Sequence, residues 1–318
     1  MANVLVTGGA GFIGSHIATA CVHRGDRVRV LDNLCTGFRH NLQEVIDDIE
    51  FVEGDVADES AVARAVKGVE LVFHQAALAS VPLSIERPLD THRSCVTGTL
   101  NILHQSAKAE VRRVVYAASS SAYGDRPFSA KRETDLPQVL SPYAAAKLAG
   151  ELYCQAFFHS FGLETVGLRY FNVFGPRQDP ASPYSAVIPL FVMAILSGNP
   201  PLIFGDGGQS RDFVFVGNVV HGNLLAGDSV EAAGQIFNMA EGRQTSLLQL
   251  LEVLAELHGK TIQPNFQAAR VGDVRESLAD ITQARKVLGY EPKTSLVDGL
   301  RQTIDYYQEL ARGKLSKV

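Results

Sequence analysis

The sequence predicts an α/β protein: a doubly wound parallel sheet followed by a smaller C-terminal α/β domain. Three observations carry this. Short β-branched runs alternate with amphipathic stretches through the first half of the chain, as βαβ units do. A glycine-rich turn follows the first of those runs directly. After Tyr170 the texture changes, with Pro176, Pro180, Pro183, Pro189, Pro200 and Pro201 interrupting the pattern. The expected strands are 4–7, 27–31, 50–53, 71–73, 114–118 and 165–168, with helices from about Phe12, Ser60, Leu89 and Pro142 between them. The first domain is therefore expected at 1–170 and the second at 171–318. Residues 213–216 read as one more strand and 217–226 as a helix, so a segment near 211–238 is expected to rejoin the first domain. The last residues, from Ala311, read as a frayed end.

Composition excludes several classes. The 318 residues carry 29 Lys and Arg against 34 Asp and Glu, a formal charge of −5, which does not suit a nucleic-acid partner. Hydrophobic residues make up 46%, enough for a sizeable core, and no run has the ~20 apolar residues of a membrane span. The apolar opening meets Gly8 and Gly9 too early for a signal peptide, so the cytoplasm is the expected location. Cys21, Cys35, Cys95 and Cys154 form no C-x-x-C pair, and no His cluster has metal spacing, so neither a disulfide framework nor a metal site is expected.

Residues 4–16 read VLVTGGAGFIGSH, a strand running into Gly8, Gly11 and Gly14 and then into a helix. Such a turn lets backbone approach a pyrophosphate while the amides near Phe12 and Ile13 face its charge. Asp32 closes the second strand 18 residues beyond Gly14, where a carboxylate accepts hydrogen bonds from a ribose 2′-OH and repels a 2′-phosphate. NAD is the expected cofactor. Asn33, Thr36 and Gly37 would continue under the adenosine ribose, and Asp55 and Val56 would flank adenine.

Ser141-Pro142-Tyr143-Ala-Ala-Ala-Lys147 opens a helix, with Ser141 as N-cap and Pro142 in the first turn. Tyr143 and Lys147 share a face, and an ammonium beside a phenol is expected to lower its pKa and make a general base. The fifth strand ends in Ser119-Ser120-Ser121 before Ala122-Tyr123-Gly124, which puts hydroxyls at the carboxyl edge of the sheet, where open α/β sheets bind ligands.

These residues resemble the extended short-chain dehydrogenase/reductase family and, within it, the nucleotide-sugar 4-epimerases. The resemblance runs through TGGAGFIG (7–14), HQAALASVP (74–82), YAASSSAYG (116–124), SPYAAAK (141–147), LRYFNVFGPRQDP (168–180), SRDFVFV (210–216) and RVGDVRESLAD (270–280). It implies a catalytic trio of Ser119, Tyr143 and Lys147. Ser119 is chosen for lying four residues before Tyr123, with Ser120 and Ser121 as the alternatives for the same contact. It also implies a cofactor lined by Gln75, Ala76, Ala77 and Tyr170.

A UDP-sugar would lie between the domains. Asn172 would contact its phosphates, Arg211 and Arg270 would hold the pyrophosphate, Asp273 the uridine ribose and Val187 the uracil side. Ser80 would face the sugar. The implied reaction is C4 epimerisation through a 4-keto intermediate. Ser120 and Ser121 stand where 4,6-dehydratases carry an Asp-Glu pair and decarboxylases a Glu, and Asn172 stands where UDP-glucuronate epimerases have Thr; both departures disfavour those reactions. Ser277 occupies the place that walls the sugar's C2 substituent, and a small residue admits an N-acetyl group. The resemblance therefore implies UDP-N-acetylglucosamine and UDP-N-acetylgalactosamine as preferred substrates, with UDP-glucose and UDP-galactose as further ones. Cys95 replaces an Asn the family often has beside the nicotinamide ribose, and Ala79 replaces a Lys. The competing readings are a UDP-glucose 4-epimerase proper, a UDP-glucuronate 4-epimerase, a net-oxidising dehydrogenase and a non-catalytic NAD-binding scaffold. Apolar faces on 89–109 and 142–161 predict a homodimer through a four-helix bundle.

Overall fold

The computed structural model describes residues 1–125, 130–181, 185–269 and 275–313. The first half alternates as expected: β1 (Asn3–Thr7), α1 (Phe12–His23), β2 (Arg27–Asp32), β3 (Ile49–Glu53), α2 (Glu59–Ala65) and β4 (Leu71–His74). Then come α3 (Val81–Glu86), α4 (Pro88–His92), α5 (Gly98–Lys108), β5 (Arg113–Ser119), α6 (Pro142–Phe161) and β6 (Glu164–Tyr170). The remainder is β7 (Asn172–Phe174), α7 (Val187–Leu196), β8 (Leu202–Phe204), β9 (Ser210–Arg211), β10 (Phe213–Phe215) and α8 (Val216–Asp228), followed by β11 (Ile236–Met239), β12 (Thr245–Ser246) and α9 (Leu247–His258). The chain closes with β13 (Asn265–Gln267), α10 (Thr282–Leu288) and α11 (Leu296–Ala311).

Seven strands form one parallel sheet in the order β11-β6-β5-β4-β1-β2-β3. The order reverses between β1 and β4, the switch point of a doubly wound sheet, which opens a crevice at the carboxyl edge. Strand alternation divides the core: Val4, Val6, Val28 and Val30 pack under α1 and α8, while Leu5, Leu31, Val72 and Tyr116 pack under α2, α5 and α6. A third apolar cluster, built on Phe174, Phe191, Phe213, Phe215, Leu250 and Leu300, belongs to the later elements.

The segment expected to rejoin the sheet does so differently. Residues 213–215 pair with β7 in a two-stranded ladder, because Phe213 and Phe215 point into the third cluster. The strand that extends the large sheet is β11, beside β6, and α8 covers the face shared with α1. The long helix expected over 89–109 runs without interruption through Pro88–Lys108, with one π turn at Arg93–Thr97 inside it. Residues 81–86 form a further helix, α3, because Ser80 caps it and Pro82 sits in its first turn.

Candidate active site

The glycine loop folds backbone tightly against backbone because it lacks side chains. Gly8 adopts φ +66°, and a Cβ there would lie 2.7 Å from the Ala76 nitrogen; a Cβ at Gly14 would lie 2.1 Å from the Gly8 oxygen. Gly11 stands at the N-cap of α1 with no side chain bonding the first-turn amides, so the amides near Phe12 and Ile13 are available to a phosphate. Gly37 packs against Ala10, bringing the loop of Asn33 and Thr36 over the turn.

Asp32 is held in place from two sides: the Ala10 amide donates to Oδ2 at 2.9 Å and the Leu34 amide to Oδ1 at 2.8 Å. Burial pushes its carboxyl up and these two amides oppose that. Each oxygen keeps a lone pair for a ribose hydroxyl. Asp55 turns back to bond the Ala57 amide at 2.8 Å, and the buried Val56 is pinned through its carbonyl by Asn101 Nδ2 at 3.0 Å. The loop, the Asp32 carboxylate and this flank suit NAD.

Across the switch point, Gln75 continues β4, with Ala76 and Ala77 beyond it. The Tyr170 hydroxyl sits 3.1 Å from Gln75 Oε1 and 2.9 Å from Oδ1 of the buried Asn223, which Gln75 Nε2 also reaches at 3.3 Å. Asn223 went unnoticed in the sequence; the one signal was an amide on an otherwise apolar helix face. Beneath them runs a buried chain. The Ala76 amide donates to Thr7 Oγ1 at 3.3 Å, and Thr7 Oγ1 lies 2.7 Å from His74 Nδ1. His74 Nε2 lies 3.0 Å from Thr99 Oγ1, whose hydroxyl donates to the Cys95 carbonyl at 2.6 Å. Donor counting then makes His74 neutral with its proton on Nε2. Burial, then the Lys147 charge, hold it down to about 3.

Ser119, Tyr143 and Lys147 meet at the same edge. Ser119 ends β5 and accepts the Ser121 amide at 3.2 Å, while Ser141 caps α6 through the Ala144 amide at 3.1 Å and aims Tyr143 back over the strand. Lys147 is buried and donates to the Ala117 carbonyl at 2.8 Å, with Nζ 6.0 Å from the Tyr143 ring centre. The expected lowering of the phenol is absent in the chain alone. Burial pushes Tyr143 well above its ordinary range, Cys95 adds to this, and only the Ser119 hydroxyl pulls it down. Lys147 itself is lowered by burial. The physical reason is that a desolvated phenolate needs a closer cation than this ammonium. One turn further along α6, Glu151 forms a buried two-pronged ion pair with Arg169 of β6, at 2.9 and 2.7 Å. The Arg169 guanidinium lies 4.6 Å from the Tyr123 ring centre, and Tyr123 donates to Asn238 Oδ1 at 2.7 Å. Of the serines, Ser120 begins a 3-10 turn and Ser121 Oγ is buried with no hydrogen bond among the described residues.

The residues read as substrate contacts fall into three groups. Ser119 pairs with Tyr170 in register, and Asn172, exposed two residues later, pairs with Phe213, so Ser119, Asn172 and Arg211 lie on neighbouring strand ends. Arg211 donates to the Ser210 carbonyl at 2.8 Å, and the Ser277 amide donates to that same carbonyl at 3.2 Å, which brings Ser277 beside Arg211. Val187 begins α7, half-buried. Ser80 accepts the Leu83 amide at 3.2 Å as the cap of α3, which leaves its hydroxyl proton for another partner. Arg270 and Asp273 lie outside the described residues. Among the described residues no group of three His, Cys, Asp or Glu is placed to hold a metal ion.

Residues 4–240 match the family model described as the NAD dependent epimerase/dehydratase family. A UDP-glucose 4-epimerase of Mycolicibacterium smegmatis is 38% identical over 309 residues, covering 96% of this chain and 98% of that protein. A UDP-N-acetylglucosamine 4-epimerase from Methanobrevibacter ruminantium M1, solved with UDP-N-acetylmuramic acid, superposes with a TM-score of 0.93 at 37% identity, covering 97% of this chain and 99% of that one. A UDP-glucose 4-epimerase of Thermotoga maritima, solved with UDP-glucose, also has a TM-score of 0.93, at 39% identity and the same coverage.

Proposed function

Because the chain belongs to the NAD dependent epimerase/dehydratase family, we propose that it is a UDP-hexose 4-epimerase whose preferred pair is UDP-N-acetylglucosamine and UDP-N-acetylgalactosamine. The observation that carries the reaction is the meeting of Ser119, Tyr143 and Lys147 at the carboxyl edge beside the glycine loop. Similarity over nearly the whole chain to 4-epimerases of UDP-sugars supports it. When bound, NAD supplies a hydride acceptor and donor for C4 and a positive charge near the phenol. Gly8, Gly11 and Gly14 would cradle its pyrophosphate and Asp32 its ribose.

Tyr143 takes the proton of the sugar 4-OH and returns it after the 4-keto sugar has turned over, so net redox is zero. Ser119 holds the C4 oxygen by a hydrogen bond. Lys147, fixed by the Ala117 carbonyl, keeps a positive charge under the phenol. Arg211 holds the diphosphate and Asn172 its sugar side. Ser277, whose side chain is a single hydroxymethyl, leaves room beside C2 for an acetamido group.

The protein acts as a homodimer in this reading. Ile85, Leu89 and Leu152, on α3, α4 and α6, are 65%, 83% and 58% exposed, an apolar face that a second copy would cover. The test of function is incubation with UDP-N-acetylglucosamine or UDP-glucose, with no added cofactor, followed by proton NMR. Formation of UDP-N-acetylgalactosamine faster than UDP-galactose is expected. Turnover of glucose alone keeps the reaction and removes the acetyl preference; no epimer, even with NAD supplied, removes the epimerase.

A further inference from the structure

Asp212 lies between β9 and β10, fully buried, next to Arg211 in the chain. Its carboxylate gathers backbone from two distant segments. Oδ1 accepts the Glu241 amide at 2.8 Å, and Oδ2 accepts the Gly242 amide at 3.1 Å and the Ala279 amide at 3.2 Å. The first two donors lie just past β11, the third in the segment that carries Ser277. Backbone bonds extend the clasp: the Ser210 amide donates to the Arg275 carbonyl at 3.0 Å, the Ser277 amide to the Ser210 carbonyl at 3.2 Å, and the Asn172 amide to the Asp212 carbonyl at 3.1 Å. The side chain thus ties the turn after β11 to the 279 segment, and backbone bonds of Ser210 and Asp212 hold Ser277 and Asn172 beside Arg211, three of the residues assigned to the diphosphate and sugar.

Every partner of the carboxylate is an N–H donor. All three bonds are stronger to the ionised carboxylate than to the protonated one. We propose that Asp212 is a positioning residue for the substrate wall, and that its protonation releases the 275–279 segment and weakens UDP-sugar binding. This rests on the UDP-sugar reading above.

Burial pushes the Asp212 carboxyl up to about 7, against the pull of the three amides, with the Glu241 charge adding to the rise. The other groups facing it are few. Glu241 has Oε2 buried with no hydrogen bond among the described residues and is itself raised by burial, with Arg243 opposing. The Tyr290 phenol, which donates to the Ala240 carbonyl at 3.0 Å, feels the Asp212 charge. Asp280, beside Ala279, is paired with Arg132 at 3.2 Å, and Arg211 turns to the Ser210 carbonyl.

The test is calorimetric titration of the NAD-loaded protein with UDP-glucose, whose diphosphate carries no proton near neutrality, from pH 6 to 8. A single proton gating binding at this position weakens affinity about tenfold between pH 8 and pH 6. Asp212→Asn is expected to bind about tenfold more weakly at pH 8 and to lose the pH dependence, with its NAD content unchanged. Glu241→Gln is expected to keep the inflection and move it to lower pH, because a like charge is removed. A flat wild-type profile, or an inflection surviving in Asp212→Asn, overturns the proposal. If Asp212→Asn does not fold, the wild-type and Glu241→Gln profiles decide. If no UDP-sugar binds at any pH, the substrate reading has failed. Hydrogen exchange at the Ser277 and Ala279 amides of the free protein, corrected for intrinsic rates, then tests the clasp alone: greater exposure below pH 7 supports it and no change refutes it.

Discussion

Tyr143 shows how sequence can place a residue without fixing its proton affinity. Helix-start chemistry at Ser141 and Pro142 places it on α6, and its four-residue spacing to Lys147 puts both on one face. Its proton affinity depends on burial by distant elements, which raises the phenol rather than lowering it. Replacing Tyr143 by Phe is expected to cut kcat by about 10²- to 10⁴-fold while leaving NAD content and melting temperature nearly unchanged; a smaller loss in single-turnover NMR assays would remove its proton-transfer role. Because the free phenol stands high, kcat/KM is expected to rise with pH through neutrality. Ser277→Tyr is expected to lower turnover of the N-acetylated sugars relative to plain hexoses by about 10- to 200-fold, read from competing substrates in one tube. His74 and Asn223 were not legible as site residues, since their partners Thr7, Thr99, Gln75 and Tyr170 come from other strands and helices.

At the scale of elements, short-range patterns located β1 to β6 well because each is an apolar run bounded by turn residues. They failed on β11, where Asn238 interrupts the apolar run of Ile236–Met239. That amide is buried and satisfied by Tyr123, by the Lys131 carbonyl at 2.9 Å and by the Asp280 carbonyl at 3.0 Å, none of them near in sequence. The α6–β6 junction is held by the Glu151–Arg169 pair directly behind Lys147. Glu151→Gln strips one partner from a buried charge, so a loss of about 3–5 kcal/mol is expected in denaturant unfolding. A loss under 1 kcal/mol would show that the site relaxes around the bare guanidinium. Gly14→Ala is a sharper lesion for the first turn: its Cβ would meet the Gly8 oxygen at 2.1 Å, so the purified variant is expected to lack bound cofactor.

At the scale of the whole molecule, the apolar face on α3, α4 and α6 bears on assembly. Leu89→Asp with Leu152→Asp is expected to turn a dimer into a monomer in sedimentation, and a wild type already monomeric would dismiss the bundle. No helix among the described residues is long and apolar enough to cross a membrane. The sequence by itself determined six strands of the sheet, the glycine loop after the first of them, the family and the NAD cofactor. These rest on periodicity, on local capping and turn chemistry and on contiguous motifs, all of which act over a few residues. Tertiary structure alone decided that 213–215 joins β7 rather than the sheet, that Ser80 is a cap, that the Tyr143 phenol stands high and that Asp212 clasps 241, 242 and 279. Each of those follows from which remote surfaces exclude water and which remote amides arrive, and no spacing along the chain records that.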